Sequence, residues 1–248
     1  MDKSLRGEAA VVVEILSKMR EEGRTALLTP EAESICASYG IPIAPSHIAT
    51  TKEETCRKAE ELGFPVALKV LSSQILHKTD AGAVLVGIGN EDALGKSFDK
   101  IIDNAKNYSP KTTILGVLVQ RMVTPGVEVM IGGMRESQFG PTILFGLGGI
   151  FTEILKDAVF GITPLDEAEA YRMIRSIKAY PLLTGYRKLP KANEKSIVDI
   201  MLKASQLLSD NPEIDQMDLN PTIVNEEGSV VVDARILLRP SGARSKTT

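Results

Sequence analysis

Tryptophan is absent from this 248-residue chain, and aromatic residues make up only 4% of it. A chain so poor in rings has few stacking platforms to offer single-stranded nucleic acid. It also lacks an excess of positive charge, since 29 Lys and Arg stand against 32 Asp and Glu for a net charge of −3. Electrostatics therefore excludes nucleic acid as the main partner. Cysteine is scarce. Cys36 and Cys56 sit in helix-like segments without metal-ligand spacing, as reduced small apolar residues of a cytoplasmic protein would. No apolar run is long enough to span a bilayer; the most apolar stretch, PTILFGLGGIFTEIL, is short and interrupted by glycines and Glu153. The N-terminal MDKSLRGEAAVVVEIL lacks the basic-then-apolar order of a secretion signal, and Glu14 breaks its apolar part. The expectation is a cytoplasmic protein with no membrane partner. Common catalytic signatures are missing too: CxxC, GxSxG, HExxH and the GxxxxGK[ST] phosphate loop.

What is present is an ordinary globular balance, 43% hydrophobic and 25% charged, enough for one large or two small domains. The chain turns on Val66–Ile88, which reads strand, loop, strand. VALKV carries one charge, Lys69, among apolar residues. The loop holds Ser72, Ser73, His77, Lys78, Thr79, Asp80 and Gly82. A lysine on the first strand and a hydroxyl-bearing basic loop form one way to cover a triphosphate; a solvated strand-edge lysine is the plainer alternative. His77 could meet phosphate, act as a nucleophile or serve only as a polar loop residue. His47, the other histidine, sits in a Pro-flanked extended segment and reads as structural or exposed.

Before this stretch, Ala10, Val13, Leu16 and Met19 mark an amphipathic helix over Gly7–Arg20. EEGR separates it from the rest, so it is expected to dock on another surface or another chain. Thr29, Thr51, Asn90 or Asp92, Asp166 and Asn193 are candidate helix caps. SYGIPIAP and ELGFPVAL repeat a helix–Gly–extended pattern. After it, alternation in VEVMIGG puts Val127, Val129 and Ile131 on one face and Glu128 and Met130 on the other. Gly148-Gly149 marks tight backbone. The expected division is an N-terminal helix (1–23), a larger subdomain (24–50 with 116–240), a smaller one (51–115) and a loose tail (241–248).

Near the C-terminus, DLNPTIV and VVVDAR read as two strands joined at Glu226-Glu227-Gly228. A turn there sets Asn220 opposite Asp233 and keeps Asp218 on the face of Asn220. Carboxylate and carboxamide oxygens together suit Mg²⁺ held with phosphate oxygens; a polar surface hairpin is the alternative.

VALKV, LHKTDAGAV, LVQRMVTPGVEVMIGG, FGLGGIFTEILKD and DLNP…VVVDAR, in that order, resemble the ATP-grasp subunits of ADP-forming acyl-CoA synthetases, relatives of succinyl-CoA synthetase. The likeness runs from about residue 20 to 240 and is nearest to the separate β chains of ADP-forming acetate–CoA ligases. It implies an α/β (α+β) ATP-grasp fold, with two lobes clamping ATP or ADP, and a reversible conversion of acetyl-CoA, ADP and phosphate to acetate, ATP and CoA. Lys69 would bind the α and β phosphates, with Lys78 beside it. Gln120, Arg121 and Met122 would form the adenine hinge, partly through backbone groups. Glu128 would take the ribose hydroxyls, and Asn220 and Asp233 would hold Mg²⁺. Asp218 would orient a phosphohistidine delivered by a CoA-binding α subunit, in an expected α2β2 assembly. His77 departs from the Gly- and Arg-rich loop of the succinyl-type enzymes. It would either accept a phosphoryl group itself or hydrogen-bond the β and γ phosphates. A stand-alone ATP-grasp carboxylate ligase and a non-catalytic nucleotide sensor are the rival readings.

Overall fold

Among the described residues, four helices begin where a short polar side chain accepts an N–H of the first turn. The computed structural model describes residues 3–75, 78–149, 157–187 and 190–240. Helix α1 is Lys3–Glu21 and α2 is Thr29–Ser38. Thr29 proves to be the first helical residue of α2, with Leu28 at the cap position. There Glu31 accepts the Leu28 N–H at 2.8 Å and holds Arg24 through two bonds of 2.9 and 2.7 Å. Thr51 caps α3 (Lys52–Leu62), Asn90 caps α4 (Glu91–Tyr108), Asp166 caps α5 (Glu167–Ser176) and Asn193 caps α6 (Glu194–Asp210).

Residues Ala44–Val123 form one compact unit and Met1–Ile43 with Thr124–Thr248 the other. The smaller unit holds β1 (Ser46–Ala49), β2 (Val66–Leu71), β3 (Val84–Ile88) and β4 (Gly116–Arg121), in the sheet order β1-β4-β2-β3. This corrects the expected division, which gave β1 and β4 to the larger part. Strand β4 completes the ladder along β2, from Val66–Arg121 to Leu71–Gly116, and pairs with β1 on its other side. Val66, Leu68, Val70, Val117 and Val119 then bury with Ala59 of α3 and Leu94 and Ile101 of α4.

The larger unit is a six-stranded sheet. Its strands are β5 (Val127–Glu136), β6 (Gly140–Leu147), β7 (Ala158–Ile162), β8 (Ile214–Val224), β9 (Ser229–Val231) and β10 (Ala234–Leu238). The order is β10-β8-β5-β6-β7, with β9 pairing onto β8. One face is the core: Val129, Ile131, Ile143, Phe145, Leu219 and Ile236 share it with Ile174 of α5 and Met201 and Leu208 of α6. Gly133 lets Leu208 approach closely, since a Cβ there would lie 2.3 Å from its Cδ1. The expected alternation holds, with Glu128 exposed and Val127, Val129 and Ile131 buried.

Helix α1 belongs to this unit, and its apolar stripe is shifted from the expected one. Val12, Leu16 and Met19 join the core while Val13 is 64% exposed. Of the two docking surfaces that its isolation suggested, the chain's own α2 takes that stripe. Arg20 adds an ion pair with Glu213 at 2.8 Å.

Candidate functional site

In the small unit, period-two alternation puts Ala67, Lys69 and Leu71 on the sheet face opposite Val66, Leu68 and Val70, yet all six β2 residues are buried. Lys69 is thus only 5% exposed. Its register neighbours are Val84 and Leu118. An interior lysine survives only if its ammonium is engaged, and Lys69 is not without a partner. Gln120 on β4 is 1% exposed, across from Ala67 and Ser46. Met122 is 38% exposed. The N–H groups of Arg121 and Met122 donate to Pro45 and Pro65 carbonyls at 2.9 and 3.1 Å. Both N–H groups of this expected hinge segment are thus already engaged within the chain.

The loop after β2 is pinned at both ends. Ser72 shares a 2.9 Å hydroxyl bond with Thr112, and Gln74 accepts the Thr113 N–H at 2.7 Å. At the far end Gly82 adopts φ +59, the left-handed region that favours glycine. Asn104 donates to its carbonyl at 2.9 Å and would stand 2.8 Å from any Cβ there. Lys78 is half-buried and accepts the Ala83 N–H on its carbonyl at 2.8 Å. His77 lies outside the described residues. His47 is exposed, as expected.

In the large unit, Glu128 projects from β5 and its carbonyl takes the Gly148 N–H at 2.8 Å. Gly149, at φ +62, runs so close that a Cβ would lie 2.7 Å from the Glu128 Oε2. The tight backbone at Gly148-Gly149 thus belongs to the surroundings of this carboxylate.

The C-terminal hairpin has the register read from its sequence. Ala234 pairs with Leu219, Arg235 with Asp218, and the Asn220 N–H donates to the Asp233 carbonyl at 3.1 Å. The turn is closed by Asn225, whose side-chain oxygen accepts the N–H groups of Glu227 and Gly228 at 2.9 and 3.2 Å. At the other end of β8, Arg135 clamps the sheet to the end of α6 by donating to the carbonyls of Leu208, Asn211 and Ile214.

Asp218 is half-buried on β8, with its Oδ1 buried and unpartnered among the described residues. Burial pushes its carboxyl up to about 6; the nearby Asp233 charge pushes the same way, and Arg235 opposes both. A buried, uncompensated carboxylate oxygen beside a second carboxylate and a carboxamide suits a hard divalent cation. Among the described residues no cluster of three or more His, Cys, Asp or Glu could hold a metal alone. The donor set therefore fits Mg²⁺ only when oxygens arrive with a ligand, as phosphate supplies them.

Sequence reasoning missed Arg235 and the groove it borders. Met130, Gly132, Met134, Leu144, Phe160 and Leu237 help line this hollow of about 300 Å³ on the sheet face away from the helices, with Asp218 and Arg235 among its walls. The signal was available, because the register that pairs Asn220 with Asp233 also pairs Asp218 with Arg235.

The model of the ATP-grasp domain matches residues 18–238. The β subunit of acetate–CoA ligase (ADP-forming) II of Pyrococcus furiosus is 46% identical over 238 residues, 95% of this chain and 100% of that one. A solved dinucleotide-forming acetyl-coenzyme A synthetase of Ca. Korarchaeum cryptofilum, in complex with coenzyme A and Ca-AMPCP, superposes with TM-score 0.89 at 44% identity, covering 91% of this chain and 99% of that one. A second structure of that enzyme holds coenzyme A and Mg-AMPPCP, with its phosphohistidine segment pointing towards the nucleotide-binding site; it has TM-score 0.81 and 42% identity and covers 92% and 100% of the two chains. Among the described residues no helix is long and apolar enough to cross a membrane.

Proposed function

The chain belongs to the ATP-grasp family, and we propose that it is the nucleotide-binding β subunit of an ADP-forming acetate–CoA ligase. It would act with a CoA-binding α subunit, in an α2β2 assembly, to convert acetyl-CoA, ADP and phosphate reversibly to acetate, ATP and CoA. The observation that carries this reading is the hairpin register. It brings Asp218, Asn220 and Asp233 together at the middle of β8 and leaves a buried Asp218 oxygen waiting for a partner.

Each residue then has a physical task. Lys69 would meet the α and β phosphates; a cation at 5% exposure acts at low local dielectric, where its field on an anion is strong. Lys78 would add charge from the loop. The Gln120–Met122 segment would hold the base, with Glu128 on the ribose hydroxyls. Asn220 and Asp233 would hold Mg²⁺ together with phosphate oxygens. The ion, when bound, neutralises charge on the transferring phosphoryl group.

Asp218 would accept the N–H of the phosphohistidine ring at the nitrogen away from phosphorus. Holding that proton lets the ring depart as neutral imidazole when an ADP oxygen attacks phosphorus and the N–P bond breaks. His77 would take part as a second phosphoryl acceptor, or else hydrogen-bond the phosphates. Unchanged turnover in His77→Ala would remove it from the relay.

The test of the whole reading is co-purification with the CoA-binding partner, followed by assay of ATP formed from ADP, phosphate and acetyl-CoA. ATP formation only by the pair supports a shared reaction. ATP formation or acid ligation by this chain alone points to the stand-alone ligase.

A further inference from the structure

Building on the subunit reading above, we propose that Arg235 binds the phosphoryl group in flight, donating to its oxygens from the groove on the open face of the large sheet. Three independent observations converge on it. First, Arg235 lies directly across from Asp218 in the β8–β10 ladder, and strand alternation puts it on the face of Asp233, between the buried Ala234 and Ile236. Second, its Nε is buried and has no hydrogen-bond partner among the described residues, and the Oδ1 of Asp218 is in the same state. A guanidinium and a carboxylate at directly opposed positions ordinarily close into a fork of two hydrogen bonds. Here that fork is not closed, so a donor and an acceptor stand side by side with capacity in reserve. Third, the position opposite Asp218 on β5 is Gly132, so no side chain rises there to cover the pair. The result is a groove open to an incoming group, with Met134 and Leu144 in its walls and a 61% exposed Phe160 among its lining residues.

The chemistry of that groove selects its visitor. A phosphohistidine presents a flat ring with one N–H and a tetrahedral phosphate. The ring N–H matches the free Asp218 oxygen, and the phosphate oxygens match the free Arg235 donor. In the transition state charge spreads over the three equatorial phosphoryl oxygens, so a guanidinium gains strength as the group transfers. Methionine, leucine and phenylalanine walls favour the ring and thin out the water that would otherwise hydrolyse the phosphoramidate. In the step itself an ADP oxygen forms the new O–P bond, and the N–P electron pair goes to the imidazole. Arg235 gives up no proton.

The test uses the complex with the CoA-binding partner. The complex is phosphorylated with labelled ATP, freed of nucleotide and then mixed with Mg-ADP, and transfer to ADP is followed in a single turnover. Arg235→Gln should slow transfer about 10²–10³-fold, the range for loss of one transition-state donor. Arg235→Lys should recover at least tenfold of that loss, and the Kd for Mg-ADP should stay within about threefold of wild type in both. Three results would overturn the proposal: an unchanged transfer rate in Arg235→Gln, a loss matched by an equal weakening of Mg-ADP binding with a fall in melting temperature, or a lysine variant no faster than glutamine. If the wild-type complex transfers nothing to ADP, the subunit reading falls and takes this one with it. If wild type transfers and the variants match it, only the role of Arg235 falls.

Discussion

Lys69 and Asp218 are charged residues on central strands of their sheets, but the two sheets treat them differently. β2 lies between β3 and β4, and Lys69 on it is buried and not without a partner. β8 has one face on the core and the other open, and there Asp218 is half-buried, beside Asp233, with an oxygen unsatisfied. The small unit therefore presents a settled cation, while the large unit holds anionic charge that Arg235 offsets only in part. On the proposed function, unlike charges built this way would respond to a ligand differently. Little would have to change around Lys69 for phosphate to bind, whereas Asp218 would gain most from a cation or a phosphohistidine N–H.

The largest effect should come from breaking the settled half. Lys69→Ala should lower kcat/KM for ADP about 10³-fold, roughly 4 kcal/mol of transition-state binding. Steady-state assay of the complex measures it, and a loss below tenfold would mean that the cation is not on the phosphates. On the anionic side, Asp233→Asn should raise the Mg²⁺ needed for half-maximal activity about 10²-fold, with ADP binding in the absence of metal little changed. Magnesium titrations decide this, and an unaltered requirement would place the ion elsewhere.

The buried Asp218 carboxyl also sets a pH dependence. Asp218 titrates at about 6 in the folded chain against 3.8 for the ordinary carboxyl. Between those values the folded state holds the extra proton, so its stability falls as pH rises through the window. Asp218→Asn removes that charge and should stabilise the metal-free chain by about 1–2 kcal/mol at pH 7.5, with the gain vanishing below about pH 4. Denaturant midpoints across pH 4–8 test the sign, and a gain that grows on acidification would contradict it. The smallest expected effect is confined to the small unit. Gly82→Ala strains a left-handed residue against Asn104 and should cost about 1 kcal/mol. Amide exchange should quicken in the small unit and stay unchanged in the large one.

The sequence made the hairpin legible because two devices agreed. A period of two fixes which residues share a face, and the turn at Glu226–Gly228 fixes which residues oppose. Glu128 and the caps at Thr51, Asn90, Asp166 and Asn193 were legible for the same local reason. The division of the chain was not. β4 follows α4 in sequence but completes the sheet between β1 and β2, and strand partners distant in sequence leave no local trace. Helix α1 was misread by one position because Val11, Val12 and Val13 stand in a row, which lets two stripes fit equally well. Arg235 was overlooked because a lone arginine in a strand reads as surface charge until the residue across the ladder is named. The bonds from Arg121 and Met122 to the two proline carbonyls were not legible, since they depend on how β4 meets the segments before β1 and β2.

The way the small unit interrupts the large one also sets an order of assembly on the ribosome. Thr25, Leu27 and Pro42 hydrogen-bond to Leu238, Ile236 and Val231, partners translated only after the small unit and the rest of the large sheet. Residues 44–123 are complete long before, so they should fold as an island. Until the last strands emerge, α2, with α1 packed on it, has no β10 to rest on. A nascent chain stalled before the hairpin should therefore offer chaperones its N-terminal helices and a finished small unit.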